Sequence, residues 1–117
     1  MDEHHEKLIK RMLASKKAEA LEWLRAGSPK SFRNIGEMDT TEESIQYVQR
    51  LYDAGAVQVL AVEIYEYEDG QNTGHLLVQL PSEKDPRGRV FELERRQAES
   101  LGFEGSADEG QKYLYFK

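Results

Sequence analysis

The sequence predicts a protein of the α+β class, built as one domain. Its 117 residues are about the length of a single domain and can enclose one modest hydrophobic core. Apolar residues recur at helical spacing in three segments, which predicts three helices. Two further runs, Val57–Tyr67 and Gly74–Leu80, are rich in β-forming residues and are separated by turn-forming ones, which predicts a β-hairpin.

The first predicted element is a helix from His4 to Ala26. It lies in an N-terminal segment, residues 1–27, that we expect to be appended to a single domain of residues 28–117. The polar stretch ASKKAE divides its apolar stripe into two patches, and Gly27 supplies a C-terminal stop. The stripe consists of Leu8, Ile9, Met12, Leu13, Ala20, Leu21 and Leu24.

A short strand and a second helix follow. The strand is predicted over residues 32–38, although Gly36 and several polar side chains in this segment are unfavourable in a strand. The helix covers DTTEESIQYVQRLYDAGA, where Thr40 and Glu43 form a capping-box motif and Gly55 supplies the C-terminal stop. Its apolar stripe consists of Ile45, Val48, Leu51 and Tyr52.

The register of the predicted hairpin follows from the alternation of side chains across a strand. A turn centred near Gln71 sets Ile64 opposite Val78 and Val62 opposite Leu80. This pairing collects the apolar residues on one face, whereas a slip of one residue would mix the two faces.

The last two predicted elements are a helix and a strand. Asp85 is the predicted N-cap of the helix, Pro86 fits its first position, and Gly102 ends it. The segment KYLYFK then predicts a final strand with Leu114 and Phe116 on one side.

Without the first helix, the predicted element order is β-α-β-β-α-β. This order matches the ferredoxin-like, or split βαβ, arrangement, in which two helices pack on one face of an antiparallel sheet. The other face of the sheet is then left bare. The predicted core consists of Ile45, Val48, Leu51, Val62, Ile64, Val78, Leu80, Val90, Leu101, Leu114 and Phe116.

The bare face of this sheet is the candidate functional surface, because it collects tyrosines with a few other polar side chains. Tyrosine has an apolar body and a polar tip, which suits a contact surface. We therefore predict a non-catalytic protein-interaction or regulatory module. The predicted ligand or partner face consists of Glu63, Tyr65, Tyr67, His75, Leu77, Gln79, Tyr113 and Tyr115.

This face is expected to be covered, because monomers seldom expose large contiguous apolar patches. One cover is a second copy of the chain, related by a twofold axis. The other is the N-terminal helix, folded back over the sheet. The break in the apolar stripe of that helix favours the homodimer, and another protein is the alternative partner.

The alternative function is a small-molecule-binding or catalytic domain that uses Glu63, His75 and Tyr65. A carboxylate beside an imidazole tunes it for proton transfer near neutral pH. The sequence, however, has no recognisable nucleophile–base motif, metal-binding motif or phosphate-binding loop, so we predict no catalytic residue, metal ligand or cofactor.

Charge and hydropathy narrow the remaining function classes. The chain has 22 acidic and 16 basic residues, a formal net charge of −6, which disfavours nucleic acid as a partner. No run of residues is apolar enough to span a bilayer, the N-terminus lacks the apolar core of a secretory signal, and there is no cysteine. These features predict a cytoplasmic protein that does not associate with membranes.

Overall fold

The computed structural model describes residues 3–27, 32–36, 38, 40–68 and 70–116, with the backbone alone for residues 3–5. In these ranges the chain forms four helices and seven strands, which confirms the predicted α+β class. The helices are α1 (Glu3–Ala14), α2 (Ala20–Arg25), α3 (Thr41–Ala54) and α4 (Lys84–Ser100). The strands are β1 (Ala18–Glu19), β2 (Phe32–Ile35), β3 (Gln58–Val62), β4 (Tyr65–Tyr67), β5 (Gly70–Thr73), β6 (His75–Gln79) and β7 (Tyr113–Phe116).

The larger sheet has the strand order β1-β3-β6-β7, and all its neighbouring strands are antiparallel. Val78 lies at its centre, opposite Val59 on one side and Leu114 on the other. The central strands β3 and β6 are buried along almost their whole length. Both faces of this sheet are therefore covered by other parts of the chain.

The smaller sheet has the order β2-β5-β4, with β2 parallel and β4 antiparallel to β5. This differs from the ferredoxin-like order, in which the first predicted strand lies at the centre of the main sheet. That strand forms here over Phe32–Ile35, but it pairs with β5 instead. Its polar residues Arg33 and Asn34 explain the difference, since a sheet buried on both faces offers them no water.

The predicted hairpin register is wrong, because Val59 rather than Ile64 lies opposite Val78. Strand β3 ends at Val62, and Glu63 has a backbone φ of 51°, outside the range of a strand. The chain then leaves the larger sheet, and Tyr65–Tyr67 pairs with β5 in the smaller one. Asp69 of the predicted turn lies outside the described residues.

One face of the larger sheet packs against α2, α3 and α4 to form the main hydrophobic core. The predicted core residues of these elements are buried or partly buried, with one exception. Leu101 is exposed, because α4 ends at Ser100 and Leu101 follows as its C-cap residue. The buried members of this core include Ala20, Leu24, Val48, Leu51, Val59, Ala61, Leu76, Val78, Val90, Leu114 and Phe116.

The opposite face of the larger sheet is covered by α1. Ile9 and Met12 pack there against Leu60, Val62 and Leu77 in a second buried cluster. The single helix predicted from His4 to Ala26 is therefore two helices, α1 and α2, on opposite faces of the sheet. The polar stretch that divides the apolar stripe is the place where the chain crosses from one face to the other.

The Thr40 bond of the predicted capping box and the Gly55 stop of α3 are confirmed. The Thr40 side chain accepts a hydrogen bond from the backbone N–H of Glu43 at 3.0 Å. Gly55 ends the helix with a φ of 122°, a conformation that glycine adopts without strain. In the described part of the chain no helix is both long and apolar enough to cross a membrane.

Tyr52 joins three elements of the main core. Its hydroxyl donates to Glu19 Oε2 at 2.6 Å and accepts from the Val59 N–H at 3.0 Å. Glu19 in turn caps α2, because its other carboxylate oxygen accepts from the Glu22 N–H at 2.8 Å. Burial, followed by the hydrogen bond to Glu19, raises the pKa of Tyr52 from 10.0 to about 12.

We expect Tyr52→Phe to lower the free energy of unfolding by about 1–3 kcal/mol at neutral pH, because two hydrogen-bond partners are left unsatisfied. The stabilisation tied to the raised pKa should be complete below pH 10 and should be lost as the pH rises through about 12. Urea denaturation of both proteins across this pH range measures the difference. Tyr67→Phe, at an exposed ring, is the matched control and should change stability by less than about 0.5 kcal/mol. Equal stability of Tyr52→Phe and the unchanged protein would show that the two hydrogen bonds of Tyr52 do not stabilise the fold.

Candidate functional site

The predicted face is divided by the structure between the two sheets. Tyr65 and Tyr67 lie on β4 of the smaller sheet, and Glu63 lies where the chain leaves the larger one. The other predicted residues share the face of the larger sheet that α1 packs against. They are His75, Leu77, Gln79, Tyr113 and Tyr115.

Helix α1 covers much of that face within a single chain. Leu77 is fully buried in the cluster that Ile9 and Met12 complete, and Tyr113 and Tyr115 pack at its margin. The N-terminal helix thus folds back over the sheet and covers this face. A twofold partner remains a prediction.

A group of four side chains lies at the edge of this covered face, and we call it the histidine cluster: Arg11, Glu63, His75 and Tyr115. His75 Nδ1 lies 2.7 Å from Tyr115 Oη, and its Nε2 lies 3.8 Å from Glu63 Oε2. Glu63 Oε1 lies 3.3 Å from Arg11 Nε on α1. The cluster therefore connects α1, the end of β3, β6 and β7.

Buried Thr73 holds the backbone of the residues that carry the histidine cluster. Its hydroxyl contacts the carbonyl oxygens of both Val62 and His75, and it accepts from the His75 N–H at 3.1 Å. The N–H of Glu63, the residue after Val62, donates to Ser15 Oγ at 3.1 Å. These bonds hold Glu63 in its left-handed conformation, which a residue with a side chain seldom adopts.

Burial and the neighbouring charges act on the pKa of Tyr115 in this cluster. Burial, and then the negative charge of Glu63, raise the pKa of Tyr115, while Arg11 acts in the opposite direction. The Tyr115 hydroxyl thus stays protonated at neutral pH. When it donates to Nδ1 of His75, the neutral ring carries its hydrogen on Nε2, which faces Glu63.

A second surface is formed by three exposed aromatic rings of the smaller sheet, and we call it the aromatic face: Phe32, Tyr65 and Tyr67. Phe32 and Tyr67 both lie opposite Gly70, so they point to the same side as Tyr65, two residues along β4. The exposed fractions are 44%, 55% and 44%, and the two tyrosine ring centroids are 6.4 Å apart. Phe32 was not a predicted site residue, because only its parallel pairing with β5 brings it to the tyrosines.

A hydrogen-bonded asparagine lies beside the rings of the aromatic face. Asn72 is buried and donates to Asn34 Oδ1 at 3.0 Å and to the Gly36 carbonyl at 3.2 Å. Tyr65 Oη in turn donates to Asn72 Oδ1 at 3.1 Å. Gly70 allows the strands to approach, since a Cβ there would lie 2.0 Å from the Phe32 carbonyl oxygen. The rings are thus presented on a well-supported backbone.

The other side of the smaller sheet faces α2. Trp23 Nε1 donates to Gln71 Oε1 at 2.8 Å, and the Gln71 amide donates to Glu66 at 2.9 Å. Lys16 lies 3.0 Å from the same Glu66 oxygen, and that contact is the first reason why the pKa of Glu66 is lowered. Glu68 is exposed just beyond β4. Glu66 thus lies on the side of β4 opposite the aromatic rings, where Lys16 pairs with it.

The described residues hold no metal centre. No group of three or more histidine, aspartate or glutamate side chains in these ranges is placed to share an ion. The histidine cluster offers one imidazole and one carboxylate, fewer ligands than a structural zinc site requires. The side chains of His4 and His5 lie outside the described residues.

Glu63 offers a direct test of the backbone geometry at the cluster. Glycine adopts a positive φ without strain, whereas alanine does not, so we expect Glu63→Gly to be more stable than Glu63→Ala by about 1 kcal/mol. The same pair of substitutions at exposed Glu99, in the regular helix α4, should show the opposite order by about 1 kcal/mol. Urea denaturation of the four variants measures both differences. A more stable alanine at both positions would rule out a strained Glu63.

Comparisons of the chain with protein-family models, with curated proteins and with solved structures find no match. The contacts, burial and charges of the described residues are therefore the basis on which a function can be proposed.

Proposed function

We propose that the protein is a cytoplasmic, non-catalytic interaction module that binds a basic segment of another protein on the aromatic face. The observation that carries the proposal is the exposure of three aromatic rings on one side of a small sheet, with exposed fractions of 44%, 55% and 44%. Clustered exposed rings are a feature of contact surfaces, where aromatic residues are enriched.

The hydrogen bonds that order the aromatic face favour binding. The hydrogen bonds of Asn72 to Asn34 and Tyr65 hold the three strands of the smaller sheet together on the same face as the rings. A surface that is ordered before it meets a partner loses less conformational entropy on association. Tyrosine adds few rotatable bonds for its large contact area, which reduces the same cost.

The position of β4 suggests how a partner would lie. Among the described strands, β4 pairs only with β5 and forms an edge of the smaller sheet. An extended segment that adds to a sheet edge uses main-chain hydrogen bonds for affinity and side-chain contacts for specificity. Tyr65 and Tyr67 would contact alternate side chains of such a segment on one face.

The charge of the surface favours a basic partner. The whole chain has a formal net charge of −6, and Glu68 is exposed just beyond β4. Arginine pairs with carboxylates and also stacks on aromatic rings, so a segment that contains arginine would satisfy both features. Such contacts weaken as salt screens the charges.

The test uses extended peptides selected from a random display library on the full chain, with affinities measured by fluorescence anisotropy. We expect the selected peptides to be rich in lysine and arginine. The double variant Tyr65→Ser/Tyr67→Ser should weaken binding by about tenfold or more, because the loss of two stacking rings costs at least about 1.4 kcal/mol. Val57→Ser removes an equally exposed apolar side chain elsewhere and should leave the affinity unchanged.

Two outcomes would contradict the proposal: a library without basic enrichment, or equal binding by the Val57 and the tyrosine variants. Multi-angle light scattering on the same proteins tests a second copy as the partner. A doubled mass that the tyrosine variant loses would assign the aromatic face to a homodimer instead of a basic segment.

A second candidate function is proton-transfer catalysis at the histidine cluster. The observation that favours it is the line from Tyr115 through His75 to Glu63, with distances of 2.7 and 3.8 Å. An imidazole held between a hydroxyl and a carboxylate has the arrangement of a general base. Tyr65, which was predicted to share this site, bonds instead to Asn72.

Hydrolysis of 4-nitrophenyl acetate separates this candidate from the interaction module. A catalytic His75 requires that His75→Gln lower the rate by about tenfold or more, whereas the double variant His4→Gln/His5→Gln leaves it unchanged. For the interaction module we expect a slow rate that decreases equally for each histidine removed. The chain has only these three histidines, so the comparison is complete.

A further inference from the structure

A buried carboxylate on α4 lines a cavity beside β7, an edge strand of the larger sheet. Glu94 is 6% exposed and lines a cavity of about 190 Å³ between α4, the loop that follows it and β7. The other lining residues include Ala98, Phe103, Ser106 and Phe116. Gln97 and Tyr115 also line it, so the cavity touches the histidine cluster through Tyr115 but is separate from the aromatic face.

The Glu94 carboxylate has no counterion in the described part of the chain. Its one hydrogen bond comes from the Ser106 N–H to Oε1 at 2.7 Å. The neighbouring Arg95 and Arg96 pair with Glu92 instead. A buried carboxylate normally requires a cationic partner, because burial removes the water that stabilises its charge.

The loop after α4 is built to close over Glu94. At Gly105 an added Cβ would lie 2.8 Å from the Arg95 side chain and 3.0 Å from its Cα, so only glycine permits this approach. The approach brings the Ser106 N–H onto the carboxylate. The Tyr47 hydroxyl is also buried without a hydrogen-bond partner, and burial followed by the charge of Glu94 raises the pKa of Tyr47. A neutral hydroxyl supplies no countercharge.

The residues that line the cavity indicate which kind of cation it would accept. Phe103 and Phe116 are aromatic, Ala98 is apolar, and exposed Glu104 adds a second acid to the lining. Magnesium and calcium need several oxygen ligands, and rings provide none. An organic ammonium ion instead gains from aromatic rings and a carboxylate together. We propose that this cavity binds a small organic ammonium ion, with Glu94 as its counterion.

The size of the cavity sets an upper limit on the ligand. A dry cavity of about 150 Å³ admits benzene, so about 190 Å³ admits an ammonium ion with one ring or a few carbon atoms. The expected ligands are therefore small amines rather than peptides. This inference is independent of the aromatic face, and Tyr65→Ser/Tyr67→Ser should leave ammonium binding unchanged.

The test compares two charged probes with neutral molecules of the same shape: benzylammonium with benzyl alcohol, and choline with 3,3-dimethylbutan-1-ol. Binding to the full chain is followed by NMR through the Ser106 amide signal. We expect each cation to bind about tenfold or more tightly than its neutral match. Glu94→Gln keeps an acceptor for the Ser106 N–H but removes the charge, and it should abolish this preference. Glu99→Gln, at an exposed acid of the same helix, should keep it.

Three results would overturn the proposal. They are equal binding of charged and neutral probes, an equal loss in Glu99→Gln and Glu94→Gln, and no shift of the Ser106 signal at millimolar probe. If Glu94→Gln does not fold, Phe103→Ala decides, because Phe103 is half exposed and its ring can be removed without a cavity in the core. Loss of cation affinity by several-fold supports the site, and unchanged affinity overturns it.

Discussion

The burial of the larger sheet on both faces is the constraint on which the rest of the structure depends. Val59 and Ala61 of β3 pack toward α2, α3 and α4, while Leu60 and Val62 pack toward α1. A sheet of this kind needs helices on both sides, and a single continuous N-terminal helix would cover only one. The chain meets this requirement by ending α1 at Ala14 and starting α2 after a short crossing segment.

The same constraint explains why the tyrosines separate into two surfaces. The polar segment that follows β3 has no place in a sheet without water, so the chain turns at Glu63 and forms the smaller sheet. The Thr73 hydroxyl contacts the carbonyl oxygens of Val62 and His75 where the two sheets separate. One consequence is the histidine cluster at the margin of α1. The other is the aromatic face, which lies on the smaller sheet and remains open to solvent.

The acidic residues act in three different environments. Glu63 pairs with Arg11 at the margin of α1, and Glu66 pairs with Lys16 on the side of the smaller sheet opposite the aromatic face. Glu94 is buried with only a backbone N–H as its partner. The proposed basic segment would meet the net negative charge of the chain in water, whereas the proposed ammonium ion would meet one carboxylate removed from water. Their different depths make the two sites distinguishable by salt dependence as well as by mutation.

The sequence by itself determined the α+β class, the capping of α3 by Thr40 and Gly55, and the positions of the main strand segments. These features depend on residues close together in the chain. Only the tertiary structure decided the hairpin register, the pairing of β2 with β5 and the burial of Glu94. The physical reason is clearest in β3, where Val59 through Val62 are all apolar because both faces are buried. Such a strand carries no alternation from which a face or a register can be read, so contacts between distant segments determine them.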